Sequence, residues 1–440
     1  MTLVDCAEGL LVRLTLLSWC VALVVLVIRV VSPDFNKLSA YGGHGVVLPR
    51  GAGAGGDGDK QKKSSGAKTW WSCVMAALKT SPTGTWRIPR KHAFMFFYAT
   101  GVATCTLLLL AHLSALRRVA AHTPFYPACL TAVPLLLFTL HCGIRLVETC
   151  CVQRFRPGDT VTLFAVFAGS AFYVLAAVSS AVPPAAIMPK LPSRWMLHSA
   201  SIPWIVLAGA AAHVTVQAVQ VMVHTTLAGL RRYSKAPTAK QQTEAQDFEE
   251  SVWRYVRAGL LNRAKSEGKS DSRDVDEQYA LRGSWRTYHF PYRHSPAFRL
   301  VLDPHYTCEV FLYAVNVALM VLCAAPHPSH SVDVVATQHT LWRYGCAPLA
   351  WLFVAASVGV TLFTLLNLGI TSAEHRRFWN ASNATRREVA KVLESLLCAS
   401  SVVEKSKRLP AELVDEVSRM LREDLSEEQL PRWNVIPFVQ

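Results

Sequence analysis

About seven stretches of this 440-residue chain are long and apolar enough to form helices across a lipid bilayer, and this feature limits its folds more than any other. They lie near 10–31, 94–115, 125–152, 160–183, 200–230, 308–326 and 345–370. A spanning segment needs ~20 mostly apolar residues, and it must be helical because hydrocarbon offers its backbone no other partners. Only 17% of the residues are charged against 51% hydrophobic, and the charges crowd between the apolar runs. The expected fold class is therefore all-α, a polytopic membrane helical bundle of about seven transmembrane helices.

The net charge of +15 does not point to nucleic acid, because the lysines and arginines cluster in alternate loops, the pattern that sets topology in a membrane. The leader before the first run carries Asp5 and Glu8. The next loop holds Lys37, Arg50, Lys60, Lys62, Lys63, Lys68, Lys79, Arg87, Arg90 and Lys91. The expectation is a lumenal N-terminus, a cytosolic C-terminus and a retained first anchor, since that run lacks a small-residue cleavage site. The twelve cysteines have neither CxxC pairs nor the spacing of a disulfide framework or zinc site, and they read as small buried hydrophobes, the Cys150-Cys151 pair included.

The chain divides into an anchor and cytosolic loop (1–93), helices two to five with the chamber (94–231), a hydrophilic cytosolic insert (232–285), a cofactor loop with helices six and seven (286–379), an amphipathic helical insert (380–430) and a closing segment (431–440). Within the first loop, RGAGAGGDGDKQKKSSGAK is too polar and Gly-rich to order itself. The stretch DFEESVWRYVRAGLL reads as a soluble helical excursion ahead of a helix lying on the membrane surface, and REVAKVLESLL with PAELVDEVSRMLRE as a solvated helical hairpin ahead of a partner surface. The sequons at Asn380 and Asn383 fall on the predicted cytosolic side and are expected to be unmodified.

Polar residues inside the apolar runs are not scattered. At 100° per residue His141, Arg145 and Glu148 fall within ~60° of one another on the third run. His213, Gln217, Gln220, His224 and Arg231 do the same on the fifth, and Thr364, Asn367, Thr371 and His375 form a similar stripe on the seventh. An ionisable group costs ~2.5–3.5 kcal/mol at the bilayer centre and is normally turned to a cavity or a partner. One stripe suits a hydrogen-bonded seam between helices. Three, all richest near the predicted cytosolic ends, suggest a shared chamber.

At that end lie Gln153, Arg154, Phe155, Arg156 and Pro157, then Arg231-Arg232 and the loop around Tyr288. Arginines there suit a polyphosphorylated ligand as well as ordinary positive-inside topology. GxxxxGK[ST] does not occur, and GxGxxG is met only inside the low-complexity run GAGAGGDG (51–58), which neither follows a strand-like apolar run nor opens a helical one, so a Rossmann or P-loop site is disfavoured. Asp303 and Pro304 suit a helix start, and His305 and Glu309 follow one turn apart.

The order of these motifs resembles the steroid 5α-reductase family, and more closely its polyprenal reductase branch, from about residue 85 to the C-terminus. His141 and Arg145 match the family's His-x-x-x-Arg, and Arg145 with Glu148 the branch's Arg-x-x-Glu. Gln153 to Pro157 are similar to Asn-Arg-Gly-Arg-Pro. Gln220, His224 and Arg231 keep the spacing of an Asn, an Asp and an Arg that contact cofactor. Tyr288 to Pro291, His305 to Glu309, His375 to Trp379, Ile88 to Tyr98 and the closing PRWNVIPFVQ resemble further family segments. Cys142 stands where the steroid enzymes carry a carbonyl-binding Tyr, which speaks against a steroid substrate.

The resemblance implies an NADPH-dependent oxidoreductase of the endoplasmic reticulum membrane that reduces the α-isoprene double bond of polyprenal to dolichal, in dolichol synthesis and hence protein N-glycosylation. Its substrate would be a long-chain isoprenoid lipid entering from the membrane lipids. His141 and Tyr98 would stand at the aldehyde oxygen, with Arg145 and Glu148 holding that wall. Gln153, Arg154, Gln220, His224, Arg231, Tyr288, His305, Glu309, His375 and Trp379 would bind the cofactor, with Arg154 or Arg231 at the 2′-phosphate. Other readings stay open: a reductase of a sterol or enoyl thioester, a methyltransferase taking S-adenosylmethionine, or a transporter. No internal repeat of the kind common in transporters is visible.

Overall fold

A computed structural model describes residues 3–32, 35, 77, 80–119, 132–155, 159–181, 201–230, 296–324, 346–399 and 430–435. The main helices are α1 (Leu3–Val31), α2 (Arg90–Val119), α3 (Val133–Val147), α4 (Leu163–Ser179), α5 (Ser201–Leu230), α6 (Pro304–Ala324) and α7 (Cys346–Ala399). A π-helical turn, Glu148–Val152, continues α3. Among the described residues six helices are long and apolar enough to cross a membrane, and the chain is a multi-pass membrane protein.

The fourth expected span differs. Its helix, α4, has 17 residues, which reach ~26 Å at 1.5 Å per residue, just under the ~30 Å hydrocarbon core. It starts late because Thr160–Thr162 (β2) pairs antiparallel with Arg87–Pro89 (β1), Ile88 opposite Val161. Thr162 then caps α4 through its side chain, which accepts from the Ala165 N–H at 3.1 Å. The strand pair fixes the start of α2 beside the start of α4.

The amphipathic pattern REVAKVLESLL is likewise no separate element. It belongs to α7, which runs 54 residues without interruption. No Gly or Pro occurs between 370 and 399 to stop it. The loop at 50–68, the insert at 232–285 and the second amphipathic pattern lie outside the described residues.

Two compact units emerge. The first comprises Met1–Gly42, Lys68–Ala228 and Asp303–Ile370. Its core is built where α2, α3 and α4 meet, around Phe97, Tyr98, Phe138, Cys142, Tyr173 and Ala176. The approach is close enough to require glycine twice. A Cβ at Gly169 would lie 2.6 Å from the Phe97 ring, and one at Gly101 would lie 2.9 Å from Cys142 Sγ. On α1, Trp19 packs on Phe172 and Phe363 and donates to Ser179 Oγ at 3.0 Å.

Helix α5 is inverted relative to a helix in water. It buries His213, Gln217, Gln220 and His224 and exposes Trp204, Leu207, Val214 and Met222. Such a helix is stable only if the surroundings are apolar and the polar face has partners.

The second unit comprises Gly43–Ala67, Gly229–Leu302 and Thr371–Gln440. In it Val301 bridges Trp433 in parallel and the Leu302 N–H donates to the Trp433 carbonyl at 3.0 Å. Arg376 secures the same segment through Asn434 and the Pro431 carbonyl, the latter at 2.6 Å.

Candidate active site

The helical period of α3 sets His141, Arg145 and Glu148 on one face, and all three are buried. Immediately after them the helix widens: the Gln153 N–H donates to the Glu148 carbonyl at 2.7 Å, and Lys91 Nζ caps the Cys150 carbonyl at 3.0 Å. Such π turns recur at functional sites because the extra residue re-aims the side chains around it.

Arg145 is the hub of one half of the cluster. Its Nη1 donates to Glu148 Oε2 at 2.5 Å, its Nη2 donates to the Tyr98 hydroxyl oxygen at 2.9 Å, and the guanidinium lies 5.1 Å from the Tyr98 ring centroid. His224 Nδ1, from α5, stands 2.7 Å from Arg145 Nη1 and 3.1 Å from Glu148 Oε1. It accepts from the arginine in one tautomer and donates to the carboxylate in the other. The fork of the guanidinium thus joins α2, α3 and α5 at one point.

The other half is a closed ring of hydrogen bonds. Gln220 Nε2 reaches two acceptors, Glu309 Oε2 at 2.7 Å and the His305 carbonyl at 3.2 Å, so this end of the amide is the nitrogen. Its oxygen therefore accepts from Gln217 Nε2 at 3.2 Å, and Gln217 Oε1 in turn faces His141 Nδ1 at 2.8 Å. His141 Nε2 closes the ring on Glu309 Oε1 at 3.1 Å. Three helices, α3, α5 and α6, are tied by side chains that water would otherwise solvate.

The structure brings together Tyr98, His141, Arg145, Glu148, Gln220, His224, His305 and Glu309 of the residues picked from sequence. The two groups expected to act separately, donors and cofactor ligands, are bonded to each other: Glu309 to His141, His224 to Glu148. Gln153 and Arg154 follow the π turn, half-buried and exposed respectively. His375 and Trp379 lie on the part of α7 in the second unit. Arg231 and Tyr288 lie outside the described residues. The stripe on the seventh run is used partly for packing, since Asn367 Oδ1 accepts from Arg29 Nη1 of α1 at 2.7 Å.

Sequence reasoning missed Arg29 and Tyr313. Tyr313 is 3% exposed, next to His141 on α6, and its signal was available: Glu309, Tyr313 and Asn316 repeat the spacing of 4 and 3 seen on α5. Several buried polar atoms here make no hydrogen bond, among them Arg145 Nε, the Tyr313 hydroxyl and Asn316 Oδ1. Comparison with protein-family models, with curated proteins and with solved structures returned no match.

Proposed function

We propose that the protein is an NADPH-dependent reductase embedded in the endoplasmic reticulum membrane, with its C-terminus cytosolic, that reduces the α-isoprene double bond of polyprenal to give dolichal. The observation that carries this reading is the double polar cluster on α3, α5 and α6. Lipid-facing helices do not assemble a paired arginine, two carboxylates, two histidines and two glutamines for stability alone, since buried ion pairs are often no better than apolar packing. The resemblance to the polyprenal reductase branch supports the same reading through His141, Arg145 and Glu148.

The residues present fit the cofactor. The unpartnered Asn316 Oδ1 offers an acceptor of the kind a carboxamide takes, beside the Gln220 and Glu309 pair. Gln220, His224, His305 and Glu309 would hold the nicotinamide end, with Gln153 and Arg154 toward the phosphates. When bound, NADPH supplies a hydride, which adds only to an electrophilic carbon and so requires the enal rather than the allylic alcohol. Arg145 holds Tyr98 by its oxygen and leaves that hydroxyl's proton to be donated. Glu148 and His224 keep the guanidinium from rotating. His141 and Glu309 hold a proton on the same wall, and together these groups polarise an aldehyde oxygen while apolar helices exclude water.

The test is reduction of polyprenal by the full-length, detergent-solubilised protein with NADPH, run beside polyprenol and a 3-oxo-4-ene steroid. Turnover of polyprenal alone is expected. Turnover of the steroid would reassign the substrate to another enone lipid, and no NADPH oxidation with any of the three would overturn the reading.

A further inference from the structure

Tyr313 is not explained by packing. Its ring is enclosed by Phe138 at 5.9 Å, Phe172 at 6.2 Å and His141 at 6.2 Å between centroids, and a phenylalanine would fill that space equally well. Its hydroxyl is buried and faces Glu309, one helical turn earlier, in a contact that falls short of ordinary hydrogen-bond geometry. A hydroxyl in this position has its desolvation only partly compensated, and such groups call for a functional account.

The hydrogen-bond ring supplies a second, independent observation. Its direction is set by Gln220, whose nitrogen must face Glu309 and the His305 carbonyl, and each link follows from the one before. His141 Nδ1 therefore carries a hydrogen toward Gln217 Oε1. That leaves Nε2 facing a carboxyl oxygen at 3.1 Å, a contact that requires a proton on one atom or the other. The His141–Glu309 pair thus holds one proton in addition to the hydrogen on Nδ1. Both ring nitrogens of His141 are taken up in the ring, so His141 can deliver its proton only through another group.

We propose that the Tyr313 hydroxyl donates to the carbonyl oxygen of the ligand, and that the proton shared by His141 and Glu309 replaces the one it gives up. The inference rests on the enal reductase reading. As the hydride forms the new C–H bond at the β carbon, the reduced nicotinamide is left oxidised and the enal π electrons move to oxygen. That oxygen takes the Tyr313 proton, the phenolate takes the proton between Nε2 and Oε1, and the enol returns to aldehyde as its α carbon takes one proton drawn from solvent while its hydroxyl proton passes back through Tyr313 to the His141–Glu309 pair. Tyr313 touches the reacting oxygen. His141 and Glu309 act through it.

The experiment uses polyprenal carrying 13C at the carbonyl, added to the full-length protein with NADP+, and reads the carbonyl stretch by infrared difference. The wild-type protein should move the band to lower wavenumber. Tyr313→Phe should return it to the free-lipid position, lower kcat by about 10²–10⁴ with NADPH, and leave the unfolding temperature without ligand no lower than wild type. Glu309→Gln should keep the shifted band and slow turnover. Tyr313→Phe with band and turnover unchanged, or with a lowered unfolding temperature that reveals a bonded hydroxyl, overturns the assignment of Tyr313. Glu309→Gln at wild-type rate overturns the shared proton. A wild-type protein that neither shifts the band nor oxidises NADPH removes the reductase reading itself, and the inference with it.

Discussion

His141 Nε2 lies 3.1 Å from Glu309 Oε1, a contact between α3 and α6 across 168 residues of chain. Each member is also held by a glutamine of α5, so the pair is fixed from three sides. Glu309→Ala would leave His141 Nε2 without its buried partner and Gln220 Nε2 with the His305 carbonyl alone. The expected cost is about 3–5 kcal/mol, seen as a lower unfolding temperature in detergent. Glu309→Gln keeps an acceptor and should cost less. Equal stability of Glu309→Ala and wild type would exclude the pairing.

Arg145 and Glu148 are bonded at 2.5 Å inside the bundle, with His224 against both. Replacing either alone by Leu leaves a buried charge, whereas the double replacement leaves none. A double-mutant cycle by denaturant unfolding should therefore return a coupling of about 1–3 kcal/mol, with the double variant more stable than the sum of the single losses predicts. Additive losses would mean that the two side chains do not act as a pair.

Glycines at 143 and 169 separate helix propensity from close packing. A Cβ at Gly143 meets nothing within 4 Å, while one at Gly169 meets the Phe97 ring at 2.6 Å. Gly143→Ala should be neutral or stabilising by up to ~1 kcal/mol. Gly169→Ala should cost about 1–3 kcal/mol, because α2 and α4 must move apart. The two melting curves check this, and similar shifts would contradict the α2–α4 contact.

Val214 lies on the exposed face of α5, between the buried His213 and the lipid-directed apolar side chains. In a bilayer Val214→Lys should cost up to about 2.5–3.5 kcal/mol, while Val214→Leu should be silent. Reconstituted protein that tolerates both equally would show that this face meets water.

Apolar length and period sufficed to place the six spanning helices found among the described residues, because a spanning segment must satisfy its own backbone and show lipid an apolar surface whatever its neighbours are. The polar stripes on α3 and α5 were equally visible, since residues three and four apart share a face regardless of what that face meets. Where α4 begins was not visible, because antiparallel pairing with Arg87–Pro89, far earlier in the chain, competes for Thr160–Thr162.

What a stripe touches belongs to the tertiary structure. Residues singled out as donors and residues singled out as cofactor ligands turned out to be one bonded network, and Asn367 went to Arg29 instead. Tyr313 passed unnoticed in an apolar run until packing set it beside His141 and left its hydroxyl without a partner. Sequence alone determined which faces had to be buried, for that depends on local period and on the cost of polar groups in lipid. Only the tertiary structure decided their partners, because a hydrogen bond depends on distance and direction between helices that the chain places far apart.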